Sequence, residues 1–247
     1  MKKLFALSML MLSSMTFATD LKLNNFNYHL TDISKKGLKS ETLYKSLERK
    51  LINLKSSICA NRALMWNHQL EGQYGIDTGK IFLFYTKSSG INEQSFRGWW
   101  YHVAPVVNEK GVVTVVDGGF PSFIPGPMTA EQWLQKFSKV AKCKEIQPHE
   151  TELIEKMYNQ SLYSEVTPYG YNRCYYMITP SAFWTPLTIA TEILGVDENG
   201  RPARISRERI NRGELEYACI EAITNKLGRF FGGVAAKEKC EEFINKY

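Results

Sequence analysis

The stretch that decides the fold runs from residue 99 to residue 117 and reads WWYHVAPVVNEKGVVTVVD. Its two halves, 99–108 and 112–117, are rich in β-branched and aromatic residues, which is typical of strands. Glu109-Lys110-Gly111 separates them with the residues of a tight turn. The pattern predicts a β-hairpin.

Two polar residues, His102 and Asp117, interrupt these apolar strands. A turn centred near Lys110 would place His102 nearly opposite residues 117–118, within reach of Asp117 across the two strands. A carboxylate or an imidazole is costly in an apolar setting unless it has a polar partner. We therefore expect an Asp–His pair, although a histidine in such a strand can equally be a core residue.

A cysteine opens the helix predicted just before the hairpin. Residues 57–66 read SICANRALMW, and Ser56-Ser57 breaks the preceding helical pattern. The new helix is expected from Cys59 to about Glu71, with Cys59, Ala63 and Trp66 on one face. A thiol at a helix N-terminus lies in the positive end of the helix dipole, which favours the thiolate.

The five cysteines of the chain bear on whether Cys59 is free. The N-terminal residues 1–18 combine a basic start, an apolar run and the small-residue ending Thr16-Phe17-Ala18, which predicts a cleaved signal peptide. An uncleaved anchor is the alternative. In an exported protein cysteines tend to pair, so one of the five is left over.

We favour two disulfides and a free Cys59. The preferred pairs join Cys143 to Cys174 and Cys219 to Cys240, although four cysteines allow three connectivities. A disulfide at Cys59, with another cysteine free, also remains open. An unpaired thiol in an oxidising compartment is a liability, so its presence suggests use.

Together, Cys59, His102 and Asp117 are the residues of a thiol acyl-transfer site. The thiolate would attack a carbonyl carbon, the imidazole would move the proton, and the carboxylate would orient the imidazole. The backbone N–H of Cys59 and one unidentified donor would hold the oxyanion. The four scattered histidines form no cluster with cysteines, which speaks against a metal site.

The remaining patterns predict an α+β fold, in which a central antiparallel sheet packs against the Cys59 helix and helices are added at both ends. Little regular structure is expected over 19–38. The further expected elements are a helix over 41–55 capped by Ser40, a strand over 80–86, a helix from Thr129 to about Lys142, a helix over 150–159, a strand over 174–178, and helices over 207–227 (capped by Ser206) and 235–245. The predicted domains are 1–18 as signal peptide, 19–195 as catalytic domain and 196–247 as C-terminal helical extension.

Three motifs resemble the secreted bacterial protein glutaminases, a family of protein-glutamine deamidases. They are Cys59-Ala60-Asn61-Arg62-Ala63, Trp100-Tyr101-His102-Val103-Ala104 and Val115-Val116-Asp117. The resemblance implies a core like that of papain and the transglutaminases. It also implies that Cys59 is the nucleophile, His102 the general base and acid, and Asp117 the orienting carboxylate. Where the family often has a proline after the aspartate, this chain has Gly118-Gly119.

The resemblance implies hydrolysis of the side-chain amide of glutamine in a protein or peptide, with no metal and no cofactor. Trp100, Tyr101 and Trp66 are candidate substrate-binding residues, although aromatic residues at such spacings are usually core. Arg62 could hold a carboxylate or serve the structure. A transglutaminase-like or peptidase activity on the same triad, or a non-catalytic secreted binding module held by two disulfides, are the alternatives.

The net charge and the N-terminal segment predict where the protein is located and which partners it lacks. Removing Lys2 and Lys3 with the signal peptide lowers the formal net charge from +6 to +4, and no basic block resembles a nucleic-acid surface. No segment after the signal is apolar enough to span a bilayer. We therefore expect a secreted or periplasmic protein that has neither a nucleic-acid partner nor a stable membrane insertion.

Overall fold

The computed structural model describes residues 20–23, 26, 28–54, 57–85, 101–137, 142–147, 150, 153, 154, 156, 174–186, 210–224 and 233–247. It has mixed α+β architecture. The strands are β1 (Leu21–Lys22), β2 (His29–Leu30), β3 (Gly79–Tyr85), β4 (Tyr101–Glu109), β5 (Val112–Val115), β6 (Met128–Thr129), β7 (Lys144–Glu145) and β8 (Cys174–Pro180). The α-helices are α1 (Ser40–Ser46), α2 (Cys59–Tyr74), α3 (Ala130–Phe137), α4 (Arg212–Ile223) and α5 (Gly233–Lys246), and a 3-10 helix spans Ile33–Lys36.

A six-stranded sheet in the order β6-β5-β4-β3-β8-β7 forms the centre of the molecule. Its pairs are antiparallel, as expected for the central sheet, except at one edge, where β7 pairs with β8 in parallel. Residues 81–84 of β3 are fully buried on both faces. This explains their continuous apolar sequence, because a strand covered on both sides has no polar face.

The predicted hairpin is β4 and β5, joined by Lys110 and Gly111. Both turn residues have positive φ, 56° and 83°, as a two-residue hairpin turn of this kind requires. The ladder pairs Val106 with Val115 and ends there, so Asp117 follows the strand and does not close it.

Helix α2 lies between the sheet and the C-terminal helices. Eleven of its residues are buried, from Cys59 to Leu70. Cys59, Ala60 and Ala63 join the core that includes β3 and β4. The other side of the helix packs in a second core with α4 and α5, which contribute these buried residues: Leu215, Ala218, Cys219, Ala222, Cys240, Phe243 and Ile244.

Several predicted boundaries were wrong. The helix expected over 41–55 ends at Ser46, and Ser40 is its first residue and not its cap. The side chain of Gln69 takes up backbone groups that would otherwise have continued the helix. Gln69 Nε2 donates to Ser46 O, and Gln69 Oε1 accepts from Glu48 N, both at 2.8 Å. The polar lead-in also contains regular structure, since β1 pairs with β2 and the 3-10 helix follows.

The helical and strand predictions further along hold in part. Thr129 and Gln132 form the reciprocal cap of α3, with bonds of 3.0 and 3.2 Å. Helix α4 is shorter than expected and is capped by Asn211, whose side chain accepts from Gly213 N and Glu214 N. Ser206, the signal-peptide region 1–18 and most of the helix expected over 150–159 lie outside the described residues.

The two disulfides join Cys143 to Cys174 and Cys219 to Cys240, the pairing that the sequence favours, and Cys59 is free. The first connects the chain next to β7 with the first residue of β8, and the second joins α4 to α5. In the part of the chain that the structure describes, no helix is both long and apolar enough to cross a membrane.

Candidate active site

Three separate segments bring Cys59, His102 and Asp117 together. Cys59 is the first residue of α2, His102 is the second residue of β4, and Asp117 lies in the turn just after β5. His102 Nε2 and Asp117 Oδ2 are 2.8 Å apart. The Cys59 thiol lies beside the same imidazole, close enough for each group to shift the pKa of the other. Since Nε2 faces Asp117, Nδ1 is the ring nitrogen that remains for the thiol.

The arrangement is buried, with Cys59 5%, His102 1% and Asp117 1% exposed. Aromatic rings enclose the imidazole: the ring centroids of Phe137, Phe120 and Trp133 lie 4.7, 5.3 and 5.3 Å from its own. An imidazole packed in this way keeps one orientation.

The carboxylate of Asp117 is fully occupied by donors. Besides His102, the indole N–H of Trp133 donates to Oδ2 at 3.1 Å, and the backbone N–H of Gly119 donates to Oδ1 at 2.9 Å. Burial raises the pKa of Asp117, but His102 and these donors together hold it below the ordinary value. Asp117 is therefore anionic in spite of its burial.

The charges of Cys59 and His102 are coupled. Burial acts to lower the pKa of His102, but Asp117 and Cys59 raise it to about 9. Burial acts to raise the pKa of Cys59, but the contact with His102, the charge of Arg62 and the backbone N–H of Val103 bring it below its ordinary value. Between these two pKa values the pair is a thiolate and an imidazolium, which is the reactive form of such a pair.

The turn after Asp117 depends on its two glycines. A Cβ at Gly118 would lie 2.8 Å from Leu47 Cδ1 and 2.9 Å from Arg49 Nε. A Cβ at Gly119 would lie 3.1 Å from both Arg62 Nε and Asp117 Oδ1. The double glycine therefore allows side chains of the core to approach this turn closely.

The candidate substrate-binding residues Trp66 and Tyr101 differ in their exposure to solvent. Trp66 is 1% exposed in the core beside α4, and its indole N–H donates to Glu48 O at 3.1 Å, so the structure does not place it in a groove. Tyr101 is partly exposed at the start of β4. Burial, followed by the charge of Cys59, raises its pKa well above the ordinary value of 10, so its hydroxyl is protonated. Trp100 lies outside the described residues.

Sequence analysis missed Trp133 and the aromatic residues around the imidazole. Trp133 is sixteen positions from Asp117 on an amphipathic helix, where a tryptophan predicts only core packing. In the sequence, the Gly118-Gly119 pair was the one indication of this packing. Adjacent glycines after a strand indicate that other groups approach the backbone closely there. Within the described ranges, no group of three or more His, Cys, Asp or Glu side chains is arranged to hold a metal ion.

Residues 36–137 match the model of a protein family described as glutaminase. The match covers 102 of the 247 residues. It contains α2, β3, β4, β5 and α3, and with them Cys59, His102, Asp117 and Trp133. The matched segment thus contains Cys59, His102, Asp117 and the aromatic rings around the imidazole.

Other comparisons add little to the glutaminase-family match. No curated protein matches the chain. Among solved structures, the chain is similar to the NMR structure of protein-glutaminase from Chryseobacterium proteolyticum, with 16% identity and a TM-score of 0.37. That similarity covers 78% of this chain and 86% of the other.

Proposed function

We propose that this protein is an exported, thiol-dependent amidohydrolase that converts glutamine side chains of proteins or peptides to glutamate and releases ammonia. One observation carries the proposal. Inside the segment that matches the glutaminase family model, a buried cysteine lies beside a buried histidine, and that histidine is hydrogen-bonded to a buried aspartate.

The first half-reaction forms a thioester. The Cys59 thiolate attacks the side-chain carbonyl carbon of glutamine, and the carbonyl oxygen becomes an oxyanion held by the backbone N–H of Cys59 and a second donor. The imidazolium of His102 then gives its proton to the leaving nitrogen. The carbon–nitrogen bond breaks, ammonia leaves, and the imidazole is neutral.

The second half-reaction hydrolyses the thioester. Neutral His102 takes a proton from a water molecule as its oxygen attacks the same carbon. The carbon–sulfur bond breaks, which gives the glutamate side chain and restores the thiolate and the imidazolium. Overall, one amide and one water give one carboxylic acid and one ammonia, with no cofactor or metal taking part.

Asp117 serves both half-reactions as the orienting carboxylate. Its contact with Nε2 directs Nδ1 towards the thiol and stabilises the imidazolium whenever the proton is on the ring. Trp133 and the Gly119 N–H hold the carboxylate in turn. We propose a positioning role for them and, for Tyr101 and Trp100, contact with the substrate.

The remaining assignments also form part of the proposal. Residues 1–18 are a signal peptide, 19–195 form a papain- or transglutaminase-like catalytic domain, and 196–247 are a helical extension. The two disulfides are consistent with an oxidising, secreted or periplasmic location. The protein acts without a nucleic-acid partner and does not insert stably in the membrane after signal cleavage.

The test is ammonia release from a glutamine-rich protein such as casein, measured for the wild type, Cys59→Ala and the matched control Cys143→Ala/Cys174→Ala. We expect ammonia from the wild type and the control, none from Cys59→Ala, and conversion of glutamine to glutamate in the substrate's mass spectrum. New peptide fragments would identify a peptidase, and cross-linked casein a transglutaminase. Activity that survives Cys59→Ala would reject the thiol mechanism, and no reaction together with an inert Cys59 would favour the binding module.

A further inference from the structure

Arg62 is a buried cation beside the cluster that the proposed mechanism does not use. It lies on α2 three residues after Cys59, and its side chain is only 2% exposed. Removing a guanidinium from water is costly unless its charge and its N–H groups find partners. The position of this side chain therefore needs a physical reason.

The hydrogen bonds of Arg62 supply only part of that reason. Nη1 donates to the carbonyl oxygen and, at 3.1 Å, to the hydroxyl of Ser57, just before the nucleophile. The guanidinium carbon lies 5.5 Å from the centroid of the Phe120 ring. Nη2 is buried and has no hydrogen-bond partner. Among the ion pairs between described residues, none includes Arg62.

The turn after Asp117 brings the guanidinium close to the triad. A Cβ at Gly119 would lie 3.1 Å from Arg62 Nε, 3.2 Å from Arg62 Nη2 and 3.1 Å from Asp117 Oδ1. The guanidinium and the carboxylate thus both lie close to the same backbone position. Burial lowers the pKa of Arg62, whereas the charges of Cys59, Asp117 and Tyr101 act to raise it.

We propose that Arg62 is a positioning residue that balances the buried negative charge of Asp117 and the Cys59 thiolate. With the guanidinium in place, the net charge of the cluster is zero whether the proton is on sulfur or on the ring. The cluster here means the side chains of Cys59, His102, Asp117 and Arg62. The net charge is also zero in the thioester intermediate, when the imidazole is neutral. Without Arg62, the three remaining side chains would carry one net negative charge in each of these states, which low-dielectric surroundings penalise.

Among the residues that the structure describes, Tyr101, Tyr44 and Arg49 are further titratable groups near this cluster. Tyr101 is a neutral phenol, because burial and the Cys59 charge raise its pKa. Burial likewise raises the pKa of Tyr44, whose hydroxyl donates to Ile124 O. Arg49 faces Gly118 and is held by the carbonyl and the ring of Tyr44, with its guanidinium carbon 4.4 Å from that ring centroid. Arg62 is the cation that α2 itself places beside the nucleophile.

The inference rests on the proposed triad, but its test does not need glutamine turnover. The rate at which iodoacetamide alkylates Cys59 is measured against pH for the wild type, Arg62→Gln, Arg62→Lys and Ser57→Ala. Intact mass follows the reaction, and circular dichroism confirms folding. We expect Arg62→Gln to move the midpoint of thiolate formation up by about one pH unit, which lowers the alkylation rate roughly tenfold at pH values below the wild-type midpoint.

The controls separate charge from architecture. Arg62→Lys keeps the charge and should leave the midpoint within a few tenths of a pH unit, and Ser57→Ala removes a hydrogen bond and should not move it. An unchanged midpoint in Arg62→Gln would overturn the inference. If that variant does not fold, a midpoint in Arg62→Lys raised by a full unit would overturn it instead.

Ammonia release from casein by the same variants distinguishes this inference from the proposed function. A shifted alkylation midpoint without any ammonia from the wild type would reject the deamidase and keep the role of Arg62. Ammonia from the wild type with an unshifted midpoint in Arg62→Gln would reject the role of Arg62 and keep the deamidase.

Discussion

Replacing Asp117 by Asn tests how the charges of the cluster are coupled. Asparagine has nearly the same shape and keeps a carbonyl oxygen that can accept from His102 Nε2, so the imidazole stays in place. The negative charge is lost, however. Because that charge and the hydrogen bond it strengthens raise the pKa of His102 to about 9, the variant's pKa should return towards the ordinary 6.5.

The size of the effect follows from this difference of about 2.5 pH units. One unit corresponds to about 1.4 kcal/mol, so the imidazolium loses on the order of 3 kcal/mol. The thiolate and imidazolium then give way to a thiol and a neutral imidazole near pH 7. A thiol of ordinary pKa is only a few per cent ionised there, so the alkylation rate of Cys59 should fall roughly 30- to 100-fold.

The alkylation rate is measured between pH 5 and pH 10. Samples are quenched at intervals, and their intact mass gives the fraction of Cys59 that is alkylated. Asp77→Asn is the matched control, since Asp77 is an exposed aspartate that is hydrogen-bonded to Thr31, outside the cluster. The control should reproduce the wild-type profile. A folded Asp117→Asn variant with the wild-type profile would refute the coupling, because the carboxylate would then contribute nothing to the thiolate.

Three further predictions concern the same structure. Ammonia release should rise with pH as Cys59 loses its proton and fall again above about pH 9 as His102 loses its own; a profile still flat at pH 10 would contradict the assignment of the acid. Gly119→Ala should reduce ammonia release at least tenfold, whereas Gly126→Ala, whose added Cβ would meet nothing closer than 3.5 Å, should not; equal rates would show that the tight turn is dispensable. Replacing Cys219 and Cys240 by serine should lower the free energy of unfolding by about 3 kcal/mol in urea titrations, and an unchanged midpoint would show that the bond contributes no stability.

The local features of the site could be predicted from the sequence because each has a short-range signal. A turn at Lys110-Gly111 between two apolar runs can form little other than a hairpin, which fixes His102 and brings Asp117 near it. The odd cysteine count implied one unpaired thiol, and the break that marks the start of α2 favoured Cys59 as that thiol.

The missing parts depend on contacts between distant residues. The helical pattern over 41–55 is real, but Gln69 of α2 takes up the hydrogen bonds at Ser46 and Glu48, which ends α1 early. The donor from Trp133 to Asp117 has no sequence pattern, because an indole N–H on a buried helix face looks the same as any core tryptophan. Such side-chain bonds between elements appear only when the elements are docked.

The different accessibility of the two disulfides affects how this protein should be purified. Both sulfur-bearing residues of the Cys219–Cys240 bond are completely enclosed, whereas Cys143 of the other bond is partly open to solvent. A small reductant added to reverse oxidation of Cys59 will therefore reach Cys143–Cys174 before it reaches the bond between the C-terminal helices. A brief treatment with a weak monothiol should restore an oxidised preparation, whereas prolonged storage in a strong dithiol should slowly open the edge of the sheet.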